Sequence, residues 1–253
     1  MERKFGGELN WIDPSFLMDE NNPKKVESFF LALGVVFNDL NGLLLFEKLL
    51  LSTYDKPENF EATSHAGHYG GLLLQLQKLI VSTISEFFVF LKKNTDVFSE
   101  IEFKQVLERL SKSDKSLWDG IVVAAHGKLN SVNDFLNTII QIRSNIAFHY
   151  DHSGKIFRRG YISKFFGKNK DDTNISAFYS IGENMQETRF FFSDGAVEEC
   201  LNIAAGKKFK DSPLDNPVLK EYRAKIGETI VALNRIISIL LKNYLQKRRN
   251  QPR

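Results

Sequence analysis

The chain has 253 residues, 43% of them hydrophobic, which is enough to bury a full core without a disulfide or a metal. Its formal net charge of +3 is too small to argue for a nucleic-acid partner by itself, so the placement of charge matters more than its sum. One cysteine, Cys200, excludes a disulfide framework and a cysteine-based zinc site and suits a reducing compartment, so a cytoplasmic location is expected.

The first residues, MERKFGGELNWIDPSF, lack the apolar core of a signal peptide. Asn22-Pro23 offers a capping side chain followed by proline at the first helical position, where its missing N–H costs nothing. The pattern predicts a helix from about residue 23 to residue 52, with Val26, Phe29, Phe30, Leu33, Phe37, Leu40 and Leu44 on one face. A second long helix is expected over 69–93. Its apolar stretch from Gly71 to Leu91 is interrupted by Gln75, Gln77, Lys78 and Glu86, which reads as amphipathic and predicts no membrane span. Ser99 and Glu102 form the pattern of a capping box and predict a third helix starting at Ser99. A short helix over 117–125 follows, and Ser131 opens another segment.

In that segment Val132, Phe135, Leu136, Ile139, Ile140, Ile146 and Ala147 recur at helical steps, and Arg143 falls in the same series. An arginine in an apolar series either pairs with an acid inside the bundle or projects into a cleft. Asn145 and His149 are one turn apart and share a different face. The stretch from Gly154 to Lys170 then carries six cations and no acid, with Phe157, Tyr161, Phe165 and Phe166 between them. It reads as a basic, aromatic loop, either a solvated surface anchored by its aromatics or one in which Lys155, Arg158, Arg159, Tyr161 and Lys164 contact RNA phosphates and bases. The segments ISAFYSI and ETRFFF flank Gly182-Glu183-Asn184 and predict a small β-hairpin. A short helix over 196–205 and a long one from Pro217 to about Arg248 complete the chain, with Lys247-Arg248-Arg249 as an exposed helix end. The expected organisation is a single, mostly α domain over 1–253. It divides into a core helical bundle (22–150), a basic loop and β-hairpin excursion (151–193) and C-terminal helices (194–250).

The run Arg143-Ser-Asn145-Ile-Ala-Phe-His149 resembles the R-x(4–6)-H motif of HEPN domains, helical modules of toxin and antiphage ribonucleases, and the wording IRSNIAFHYD is similar to that of abortive-infection members. The motif-level similarity covers about ten residues. The gap here is five, Tyr150 follows the histidine directly and Asp151 stands where one subgroup has a tyrosine, so regulation through that tyrosine is not carried over. Ser144 occupies the place where many members have a polar partner, which leaves that role to Asn145.

The resemblance implies a metal-independent endoribonuclease acting as a toxin or antiphage effector, with no cofactor. It also implies a homodimer that brings two motifs into one cleft and an antitoxin or sensor partner. The residue types suit the chemistry. Histidine titrates near neutrality and serves both proton transfers of RNA cleavage, while arginine holds the phosphate through a planar donor fork. His149 is therefore the expected general acid/base, Arg143 the transition-state cation and Asn145 the orienting group. Two metal-binding alternatives, His149 with Asp151 and His152 or His65 with His68, lack companion ligands. The competing reading is a catalytically silent helical binding or assembly module in which Arg143 is structural.

Overall fold

The structure is a computed structural model, and it describes residues 10–54, 63–126, 150–166, 176–204 and 217–249. Among these residues the fold is all-helical. The helices are α1 (Lys25–Thr53), α2 (Ser64–Lys93), α3 (Ile101–Glu108), α4 (Lys112–Ala125), α5 (Tyr150–Phe166), α6 (Phe191–Ala204) and α7 (Pro217–Arg249), with short 3₁₀ turns at Pro14–Phe16, Thr95–Ser99 and Met185–Glu187.

Side-chain capping explains where several helices start. The Glu27 carboxylate accepts the Lys24 N–H at 2.8 Å, so α1 begins two residues after the proline that announces it. The hydroxyl of Thr63 accepts the Ala66 N–H at 3.1 Å and starts α2 at Ser64, five residues before the expected start. The glycines of SHAGHYGG consequently lie inside a helix, and two of them are held there by packing. A Cβ at Gly67 would strike the Phe191 ring, and one at Gly71 would strike the Arg189 guanidinium.

Ser99 does not open α3. Its hydroxyl donates to the Asp96 carbonyl at 2.7 Å within a 3₁₀ turn, and the helix begins at Ile101 because Glu102 is turned toward α7 instead of back to its own backbone. Helix α4 is longer than its apolar pattern suggests, since Ser111 caps it by accepting the Asp114 N–H at 3.2 Å.

The core is aromatic. Phe29 of α1 stacks on Phe90 of α2 with centroids 4.9 Å apart and meets the edge of Phe103 of α3 at 5.5 Å. Trp118 of α4 packs against Phe98 at 5.7 Å, and Phe30 stacks on Tyr244 of α7 at 4.0 Å. Rings in these arrangements add to the apolar burial that drives closure, about 1.5–3 kcal/mol for each large side chain. Helices α1, α2, α3, α4 and α7 share this core. Helices α5 and α6 pair closely and join it where α6 packs on α2.

By length and composition, α1 and α2 are each apolar enough to cross a membrane, and 28% and 44% of their most apolar windows are buried in the bundle. On α1, Leu31, Val35 and Phe46 stay exposed on the side away from the core.

Two further sequence expectations change here. Residues 154–166 of the expected basic loop belong to α5, because Phe157, Gly160, Tyr161, Lys164 and Phe165 recur at helical spacing and make an inner face, while Lys155, Arg158 and Arg159 fall outward. The expected hairpin reduces to a single antiparallel bridge. Ser180 and Arg189 exchange backbone hydrogen bonds of 2.8 and 3.0 Å, and among the described residues no strand extends it. A 3₁₀ turn at Met185–Glu187 occupies the place of a regular hairpin arm, with the Glu187 carboxylate accepting from the Glu183 N–H and the Asn184 amide.

Candidate functional site

Arg143, Asn145 and His149 lie outside the described residues. Helix α5 starts at Tyr150, the next residue in the chain after His149.

Its cations divide into two sets. Lys155, Arg158 and Arg159 are exposed, and among the described residues none of the three is ion-paired. They stand at the i, i+3, i+4 spacing that places side chains on one helical face. Lys164 is turned the other way. Its ammonium lies 3.3 Å from the Glu198 carboxylate of α6, with both side chains largely withdrawn from solvent. Beside it, Ser163 donates to Glu199 at 2.7 Å. The Tyr161 ring is half-buried among Phe165, Phe166 and Phe192, at centroid distances of 4.7, 6.1 and 6.4 Å. Of the five RNA contacts expected from sequence, three face solvent, while Tyr161 and Lys164 fasten α5 to its neighbour.

The close approach of α5 to α6 has a specific cause. A Cβ at Gly160 would collide with the backbone carbonyl of Ala196 and the sulfur of Cys200, so only glycine lets the two helices touch there. Burial pushes the Cys200 thiol up to about 11, although the Gly160 N–H partly offsets it. This cysteine is a packing group rather than a nucleophile.

A second polar group sits where α2 meets α6. Arg189 binds the Asp194 carboxylate through Nε at 2.7 Å and Nη2 at 3.2 Å, in the fork geometry that arginine makes well. Burial holds the Lys78 ammonium below its ordinary value. Attraction to Asp194 opposes that shift and repulsion from Arg189 reinforces it. The His68 ring meets Phe191 edge-on at 5.6 Å, and its Nε2 is 3.5 Å from the Ser180 hydroxyl. His65 instead stacks on Tyr54 at 6.2 Å. The two histidines therefore serve different contacts, and among the described residues no three His, Cys, Asp or Glu side chains converge as metal ligands. The Arg189–Asp194 pair ties the segment that carries the β-bridge to α6, and Gly71 of α2 leaves room for the guanidinium.

The three Lys247-Arg248-Arg249 cations do not form the free end that their sequence suggests. Lys247 is buried 3.5 Å from Glu102, and Arg248 lies between Glu27 and Glu102 at 2.7 Å from each. Arg249 is the exposed one, and it donates to the Trp11 carbonyl at 2.9 Å.

The exposed face of α5 also carries apolar groups, of which Phe166 already counts among the segment's aromatics in the sequence and Ile162 is overlooked there. Ile162 and Phe166 are 48% and 73% exposed and continue the line of Lys155 and Arg159 at steps of three and four residues. That spacing was the available signal, hidden by reading the segment as a loop. No protein family, curated protein or solved structure matches the chain.

Proposed function

We propose that the chain is a metal-independent endoribonuclease of HEPN type, acting as a toxin or antiphage effector in a two-fold dimer. One observation carries the reading: the helix that follows His149 directly in sequence presents Lys155, Arg158 and Arg159 to solvent, without acidic partners among the described residues. Exposed cations of this kind hold phosphates and steer a polyanion to the residues beside them.

In the proposed reaction the 2′-oxygen forms a bond to phosphorus and the bond from phosphorus to the 5′-oxygen breaks. The proton of the 2′-hydroxyl passes to a general base, and a general acid returns one to the leaving 5′-oxygen. His149 performs these transfers, each typically worth about 10²- to 10⁴-fold in rate. Arg143 binds the non-bridging oxygens as charge builds on them, and Asn145 orients the histidine or the substrate. Pairing of two subunits supplies a second copy of each group.

The test is incubation of the purified protein with mixed RNAs in excess EDTA, comparing wild type with His149→Ala and Arg143→Ala. Products with 2′,3′-cyclic phosphate and 5′-hydroxyl ends that disappear in both variants support the reading. Cleavage untouched by either substitution removes the site.

A second reading, a catalytically silent assembly module, is favoured by the outward residues Leu31, Val35 and Phe46 of α1, which suit burial against another copy of the chain. It requires wild type that sediments as a dimer, a Leu31→Lys variant that does not, and no RNA cleavage by either.

A further inference from the structure

The outer stripe of α5 changes character along the helix. Its first turns carry Lys155, Arg158 and Arg159, and its last turns carry Ile162 and Phe166 on the same line. From Phe166 the aromatic surface continues across to the start of α6: its ring is 6.1 Å from Tyr161, Tyr161 is 6.4 Å from Phe192, and Phe192 is 5.8 Å from Phe190. The middle pair is half-buried and fixed, whereas the ends, Phe166 and Phe190, are 73% and 52% exposed. Two rings held in water at the edges of a rigid aromatic row, on a surface shared with exposed cations that are not ion-paired among the described residues, form an unusual surface for a chain with so much buried aromatic area.

Resting on the RNA reading above, we propose that Phe166 and Phe190 are a stacking platform for the unpaired bases of single-stranded RNA, whose phosphates are held by Lys155, Arg158 and Arg159. Both halves of the surface are accounted for by one ligand: cations meet the backbone, and ring faces meet bases. A duplex conceals its base faces, so the platform selects single strands, loops or ends. A membrane fits less well. A helix lying in a lipid interface needs an apolar face along its length with cations at the flanks, whereas here the cations occupy the same line as the apolar groups.

Binding is measured by fluorescence anisotropy with a labelled 2′-O-methyl oligonucleotide, which lacks the attacking hydroxyl and stays intact. Phe166→Ala and Phe190→Ala are expected to weaken it by roughly five- to 150-fold for each lost stack, with an unchanged salt slope, and Phe166→Trp to bind at least as well as wild type. Wild type is expected to bind the strand better than its duplex.

Affinity unmoved by either alanine, equal preference for the duplex, or wild type that binds phosphatidylserine vesicles but no RNA would overturn the proposal. The enzyme reading fails separately: a wild type that cleaves nothing but binds the uncleavable strand through Phe166 keeps the platform and loses the nuclease.

Discussion

Arg248 and Glu27, 221 positions apart in sequence, meet through an Nη2···Oε1 hydrogen bond of 2.7 Å at one end of the bundle. Their side chains are 11% and 1% exposed. The other Glu27 oxygen accepts the backbone N–H groups of Lys24 and Asp19 at 2.8 and 3.3 Å, and the Arg248 guanidinium lies 5.2 Å from the centre of the Tyr244 ring. A carboxylate satisfied from three sides leaves little that water could replace.

Removing one partner strands the other. Glu27→Ala leaves the Arg248 cation buried with Glu102 alone and is expected to cost about 3–5 kcal/mol, read as the shift of a urea unfolding midpoint. Glu27→Gln keeps the shape and two acceptor contacts and should cost less.

The same carboxyl sets an acid limit. Burial raises its pKa, but the Lys24 N–H, the Arg248 guanidinium and the Asp19 N–H together hold it below its ordinary 4.5. A group with a depressed folded pKa contributes stability that is fully present above its unfolded value and lost as pH falls through the folded one. Thermal melts of wild type are therefore expected to weaken as pH drops below about 4.5, and those of Glu27→Gln to lose part of that slope. Identical slopes would remove Glu27 as a source.

Two glycines should respond in opposite directions to alanine. At Gly160 the new methyl meets backbone that cannot step aside, so Gly160→Ala is expected to destabilise by about 1–3 kcal/mol and to disturb the α5–α6 pairing. At Gly34 in α1 nothing lies within 4 Å of a built Cβ, so Gly34→Ala should stabilise by about 0.5–1 kcal/mol through reduced backbone freedom in the unfolded chain. Chemical denaturation of both variants checks the pair.

The cations of α5 should separate by role. Arg158→Ala with Arg159→Ala is expected to lower the slope of log affinity against log salt by about 0.7 per lost phosphate contact on single strands while leaving stability nearly intact. Lys164→Ala, which unpairs Glu198, should lower stability and leave the salt slope alone. Anisotropy titrations at several salt concentrations together with melts distinguish the two.

Cys200, with its thiol near 11, should resist thiol reagents at pH 8 in the folded protein and react fully in denaturant. Rapid labelling of the native chain would contradict the α5–α6 packing.

The helices were legible where apolar spacing is sustained, as in α1 and α7, although α1 is capped through Lys24 and Glu27 and not by the expected Asn22. They were misread where a short-range signal lost to a distant partner. Ser99 and Glu102 spell a capping box, yet Glu102 is drawn to Lys247 and Arg248, and no local pattern carries that information. The segment from Gly154 looked like a loop because its glycines and cations interrupt its apolar residues. Gly160 is the helix's point of closest contact, and three of the cations are simply its outer side. For the functional site, Lys155, Arg158 and Arg159 could be picked out by charge. The inward roles of Tyr161 and Lys164 depend on α6, 30 or more residues later in the chain, as the separation of Lys164 from Glu198 by 34 positions illustrates.

The pairing of Glu27 with the last turn of α7 has a consequence for biosynthesis. Translation makes Glu27 early and must then produce the rest of the bundle before Arg248 leaves the ribosome, so until then the carboxylate faces a nascent chain without its cation. The first and last helices therefore lock together late, and Phe30 gains its Tyr244 stacking partner only when the same helix arrives.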